Sequence, residues 1–201
     1  MIMNMNVRSV RVTSPRRRTQ PSLLDVVAEV LVADPTASLA KVAEVAGISR
    51  TTLHRHYATR DDLMRAVAHR AFDLWEHAVG AESGADDPDG GLRAVTAALI
   101  QIGPQLAFLW RNPAFDDLTE LRERMPAVEE RSWAVLQRAQ DRGVIATDIP
   151  DWWLMETFYA LIIGAYMSVE TGHLAPRDAP DRVLGTFLRG TGAPPRAKEK
   201  P

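Results

Sequence analysis

Residues 38–57 read Ser-Leu-Ala-Lys-Val-Ala-Glu-Val-Ala-Gly-Ile-Ser-Arg-Thr-Thr-Leu-His-Arg-His-Tyr, and this stretch limits the possible folds more than any other. Ser38 is a good N-cap for a helix whose inward face is Leu39, Val42, Ala43 and Ala46, and Gly47 ends it where a left-handed residue costs least. That helix is only about two turns long. Ser49 caps the next, residues 50–56, which turns a single large aliphatic side chain, Leu53, toward a core. On a wheel of about 100° per residue, Arg50, Thr51, His54 and Arg55 lie on the side away from Leu53. Two short helices joined by a tight Gly47-Ile48-Ser49 turn let the first brace the second across a DNA major groove, which is wide enough to admit a helix. Arginine suits the O6/N7 pair of guanine, and threonine can hydrogen-bond or offer its methyl to thymine.

The flanking sequence is helical too. Ser22 can cap a first helix with Leu23, Leu24, Val27, Val30 and Leu31 at helical spacing, stopped by Asp34-Pro35. Thr59-Arg-Asp-Asp opens a fourth, with Asp62 placed for a capping box and Met64, Val67, Ala71, Leu74 and Trp75 as its apolar stripe to about residue 79. Residues 82–91 form an acidic, breaker-rich linker and the best internal boundary. Helical runs follow at 92–102, 104–111, near 115–124, 127–142, 152–171 and 181–189. Gly143, Gly172 and Gly190 stand where C-terminal caps belong, and Pro104, Pro126, Pro150 and Pro180 stand at or near first turns. With no strand pattern and no internal repeat, the expected fold is all-α. A basic arm (1–21) precedes a three-helix DNA-binding domain (22–70), joined through a long helix to a second helical domain (80–190) and a disordered tail (191–201).

Charge supports this division. The net charge of −2 conceals nine Lys and Arg against four Asp and Glu in residues 1–60, so the front end is the part suited to a polyanion. The absence of cysteine excludes disulfides, thiolate metal sites and thiol redox sensing. Five arginines and no long apolar run in the first twenty residues do not read as a secretory signal, so a cytoplasmic location is expected. The arm with Arg16, Arg17 and Arg18 is either a minor-groove reader or a solvated tail.

Residues 42–63, continuing past Tyr57 with Ala-Thr-Arg-Asp-Asp-Leu, resemble the signature of the TetR family of transcriptional regulators. That pattern carries Ile/Val-Ala near its start, Ala-Gly-Val-Ser at the turn and Thr-Leu-Tyr in the recognition helix, then Phe, Lys and Leu. The match runs over about 45 residues from Leu23. It implies base or groove contacts from Arg50, Thr51, His54 and Arg55. It also implies phosphate contacts from Thr52, His56 and Arg60, with Tyr57 beside them and Ser38 and Lys41 near the DNA backbone. His54 stands where tyrosine is usual, Tyr57 where phenylalanine is, and Arg60 where lysine is. Arg60 is either a phosphate clamp or a solvated arginine. His54, if charged on acidification, would add attraction for the groove.

The resemblance further implies a small-molecule pocket behind the fourth helix and dimerisation through the last two long helices, hence a homodimer on palindromic double-stranded operator DNA. Residues 152–169 are apolar on nearly every face and need cover all round, which a partner subunit would complete. Glu156 within the run and five other helices in need of an apolar partner argue against a membrane span. Phe72, Trp75, Phe108, Trp110, Phe115, Trp133, Trp153 and Phe158 suffice to line a cavity for an apolar or aromatic effector. Glu156 is either a structural carboxylate held by Tyr159 or an arginine, or a contact to a polar or cationic effector group. His69, Asp73 and His77 drift about 40° per step around their helix, and solvated polar residues explain them without a metal. No cofactor is implied, and no nucleophile-base pair, phosphate loop or paired catalytic carboxylates point to an enzyme. Two alternatives stay open: a DNA-binding regulator without a small-molecule effector, and an all-α module or enzyme that retains an unused helix-turn-helix.

Overall fold

A computed structural model describes residues 22–80 and 88–192; the arm, residues 81–87 of the expected linker and the tail from 193 lie outside the described residues. The chain folds as α1 (Leu23–Ala33), α2 (Leu39–Val45), α3 (Arg50–His56), α4 (Arg60–Gly80), α5 (Pro88–Gln101), α6 (Gly103–Trp110), a 3-10 turn (Pro113–Asp117), α7 (Thr119–Arg122), α8 (Met125–Asp141), α9 (Asp151–Glu170) and α10 (Ala179–Thr191).

The helix starts are set by local chemistry. Ser22 and Asp25 satisfy each other's backbone N–H in a capping box, and Thr59 and Asp62 do the same at the head of α4. Ser38 accepts from the Lys41 N–H and Ser49 from the Thr52 N–H. Such a cap is worth about 1 kcal/mol, which matters most for α2 and α3, too short to be stable alone. Gly47, Gly143 and Gly172 take the positive φ expected of helix ends. Gly190 does not: α10 runs through it to Thr191 and stops at Gly192, which pairs in an isolated bridge with Ile145. The predicted linker is likewise shorter, because Pro88, with φ preset for a first turn, starts α5. The predicted piece at 115–124 divides into the 3-10 turn and α7.

Two apolar cores are formed. The first gathers Val27, Leu31, Val42, Leu53, Leu63 and Val67 from α1–α4, and it also takes Phe108, Leu121 and Val128 from later in the chain. The second is built from α5, α8, α9 and α10 around Leu99, Leu136, Ile145, Leu154, Ile162 and Phe187, with Ala78 and Val79 from the end of α4. Trp75 packs on both. Helix α6 is buried from Gly103 to Phe108 between α1, α4 and α9.

Polar links reinforce the apolar ones. Asp25 on α1 accepts from Arg70 on α4 at 3.2 Å and faces the Gln105 amide of α6 at 3.5 Å, while Arg111 donates to the Val32 carbonyl at 2.6 Å. Burial pushes the Asp25 carboxyl up, but the hydrogen bonds from Arg70 and Ser22 outweigh it and hold it below the usual carboxylate range.

Two outcomes are expected. A Cβ at Gly103 would enter the Tyr166 ring, so Gly103→Ala should lower the free energy of urea unfolding by about 1–3 kcal/mol. Because the folded Asp25 carboxyl is depressed, its stabilisation is present above the unfolded value near 3.9 and is lost as pH falls through the folded value. Asp25→Asn should therefore cost about 1–2 kcal/mol at pH 7, and the gap to wild type should close in strong acid.

Candidate nucleic-acid interface and effector cavity

The two short helices meet through Val42, Ala43 and Leu53, all buried, and the Ile48 N–H closes the turn onto the Ala43 carbonyl at 3.0 Å. Packing Leu53 inward turns Arg50, Thr51, His54 and Arg55 into solvent on one continuous face. His56 is exposed beside it, while Tyr57 is half-buried against the first core. Three of the other expected contact residues have local partners. The Ser38 hydroxyl caps α2, the Lys41 ammonium pairs with Glu44 at 3.2 Å, and the Thr52 hydroxyl lies 2.8 Å from that of Ser49. The Lys41 pair is exposed on both sides, so exchanging it for a phosphate would cost little.

Arg60 is not simply solvated. Its guanidinium donates to the carbonyls of Ala37 at 2.6 Å and Pro35 at 2.8 Å, pinning the loop before α2 to the head of α4. A guanidinium has five donors, so a phosphate contact stays open to it beside these two carbonyls.

A cavity of about 1100 Å³ opens among α4, α6, α7, α8 and α9. Phe72 and Trp75 of α4, Trp110 of α6, Trp133 of α8 and Glu156 of α9 line it, as the sequence suggests. Three expected members do not. Phe108 turns into the first core, 5.4 Å from the Phe115 ring. Phe158 turns into the second, against Phe187. Trp153 stands on the outside of α9, 51% exposed, and its neighbour Trp152 takes the place in the wall. Met155, Tyr159, Glu129, Glu130, Asp151 and Arg122 also line the space. Tyr159, one of the partners expected for Glu156, is committed elsewhere. The Trp75 indole donates to its oxygen at 2.7 Å, and its own hydroxyl donates to Ser132, whose proton goes to the Val128 carbonyl. Burial pushes the Tyr159 phenol up to about 12 against these hydrogen bonds. No partner to the Glu156 carboxylate exists among the described residues.

Arg124 joins the cavity wall to α4. It precedes Met125 and Pro126 of the lining and reaches Glu76 at 3.0 Å, Asp73 at 2.7 Å and the His69 carbonyl at 3.4 Å, with its guanidinium 5.3 Å from the Phe72 ring centroid. Burial disfavours its charge, but Glu76 and Asp73 more than compensate. Asp73, one of the row His69, Asp73 and His77, is thus an ion-pair partner.

No family model matches the sequence. Over 182 residues, 90% of this chain and 94% of the relative, it is 30% identical to the HTH-type transcriptional repressor LfrR of Mycolicibacterium smegmatis. The crystal structure of the TetR-like regulator LfrR in complex with proflavine superposes with a TM-score of 0.71 at 29% identity, covering 84% of this chain and 93% of that one. The chain belongs to the TetR family of transcriptional regulators. It is also 27% identical over 178 residues, 87% of this chain and 95% of the relative, to the HTH-type transcriptional regulator NfxB of Pseudomonas aeruginosa. Within a TetR-type fold, α4 connects the helix-turn-helix to the cavity, and here Phe72, Trp75 and the Arg124 cluster make that connection.

The Trp75, Tyr159, Ser132 chain bears on this connection directly. Ser132→Ala strands the buried Tyr159 hydroxyl and should cost about 1–3 kcal/mol in urea unfolding, with a matching change in Trp75 fluorescence.

Proposed function

We propose that this chain is a sequence-specific DNA-binding regulator, a repressor, that grips a palindromic operator as a homodimer and releases it when an apolar or aromatic small molecule fills the cavity. The observation that carries this reading is that one helix, α4, supplies Phe72 and Trp75 to the cavity wall while its first turn is bolted by Arg60 to the loop before α2. A ligand that prefers the cavity with α4 displaced would lower operator affinity by its differential affinity for the two states.

Several observations support the parts. The exposed Arg50, Thr51, His54, Arg55 face has the geometry of a groove reader. The cavity's tryptophans line the space rather than fill it, which favours control by a small molecule over control by abundance alone. LfrR was crystallised with proflavine, a flat aromatic compound, and an aromatic-walled cavity here suits the same shape. For the dimer, α9 keeps one apolar face uncovered: Trp153, Ala160, Gly164 and Met167 recur at helical spacing in solvent. Its neighbours α5, α6, α8 and α10 cover the opposite side. A second copy would bury that stripe. No single helix among the described residues is long and apolar enough to cross a membrane. The operator-binding role supports a cytoplasmic location, where the DNA is.

Selection of bound sequences from random DNA should return two half-sites spaced by about one helical turn or a multiple of it. Arg50→Ala should weaken binding to the selected site by about 1–3 kcal/mol, with the dimer intact by analytical ultracentrifugation. Unchanged affinity for specific over random DNA would overturn the reading and leave the helix-turn-helix without a role.

A further inference from the structure

We propose that α6 is a second coupling element beside α4, one that acts on α1, and that Gln105 is the residue that positions α1 against it; the proposal rests on the effector reading above and adds a route to it. Helix α6 has a share in both halves of the molecule: Leu106 is buried in the second core and Phe108 in the first. Leu106, Leu109 and Trp110 line the cavity. On its remaining faces α6 meets α1, the helix that opens the DNA-binding half. The Gln105 amide reaches toward Asp25, and Arg111, just past the last turn, holds the Val32 carbonyl at 2.6 Å. The ring of Tyr166 from α9 lies against Gly103 and backs the first turn. About two turns of helix therefore carry both a wall of the cavity and the seat of α1.

That seat is unfinished. Gln105 is 5% exposed, yet its Nε2 stands 3.5 Å from Asp25, longer than the about 2.7–3.2 Å of a full-strength N–H···O bond. Its Oε1 finds no donor among the described residues. A buried amide oxygen left bare costs free energy, so another seating of α6 on α1 that pairs it is open to the molecule. Asp25 does not depend on Gln105, because its carboxylate also accepts from the Ser22 N–H at 3.1 Å and from Arg70 at 3.2 Å. The Gln105 contact can open and close without stripping a charge of its partners. A small turn of α6 under a filled cavity changes the reach of Gln105 and with it the tilt of α1. Val27 and Leu31 of α1 share a core with Val42 and Leu53 of the helix-turn-helix, so that tilt carries to the reading helix.

The test uses the full chain, the selected operator and, as probe of the cavity, proflavine, the compound found with LfrR. The quantity read is the ratio of operator affinities without and with proflavine. Intercalation of the probe into DNA acts on every variant alike and cancels when variants are compared. Gln105→Leu keeps most of the volume and removes the amide; it should still bind proflavine and should shrink that ratio at least about threefold from the wild-type value. Hydrogen exchange without DNA separates this route from the one through α4. In wild type, proflavine should alter exchange at the amides of α1 and of α4; in Gln105→Leu the α4 response should remain and the α1 response should disappear. Arg111→Met, an exposed position at the other end of the α1 contact, should blunt the α1 response in the same way, and it decides the matter if Gln105→Leu lowers the folded fraction. A purely structural Gln105 would change α1 exchange equally with and without the probe and leave the affinity ratio untouched; that result, or a wild-type α1 response in both variants, overturns the proposal and leaves the effector reading standing. Wild-type protein that holds its operator but takes up no proflavine, or takes it up with no change in operator affinity, overturns the effector reading and this inference with it.

Discussion

The rest of the structure depends on the burial of α4 along two different cores. Leu63, Val67 and Phe72 close the first, Ala78 and Val79 belong to the second, and Trp75 packs on both. A helix whose two ends are held by separate cores cannot tilt in one without moving in the other, because packed interiors rearrange in steps rather than deform smoothly. That shared helix is the physical link on which the proposed coupling between the cavity and helix α3 rests.

Polar groups sharpen this constraint at three places. Arg60 ties the head of α4 to the loop before α2, Asp25 and Arg70 tie its middle to α1, and Arg124 ties its far half to the start of α8. Each tie uses a guanidinium, which can bridge several oxygens in a fixed plane where an ammonium would make a point contact. The Trp75, Tyr159, Ser132 chain adds a fourth, with every hydroxyl proton assigned by the acceptor at its end.

The cap residues were fully legible because they act on backbone groups three positions away. Ser22, Ser38, Ser49 and Thr59 start helices where their spacing to the following apolar stripe says they must, and Gly47, Gly143 and Gly172 turn the chain with positive φ at helix ends. Gly190 and Pro88 misled for the same reason in reverse. A glycine is permitted at a helix end but is not obliged to form one, and α10 instead ends at Gly192, which pairs with the distant Ile145. The identity of the wall residues was harder. Aromatic content announces that a cavity can exist, yet Trp152 and Trp153 differ only by about 100° of rotation, and which one faces inward follows from how α9 settles against α8 and α10.

By itself, then, the sequence determined what rests on local spacing: an all-α chain, the helix-turn-helix at 38–57 and its outward basic face. Tertiary structure decided what rests on approach between distant segments. It sent Phe108 and Phe158 into cores instead of the cavity, left Glu156 without Tyr159 as a partner, and made Arg60 a brace for the loop before α2. It also set Gln105 of α6 facing Asp25 of α1. Helical periodicity says which residues share a face; only the packing of one helix against another says what that face meets.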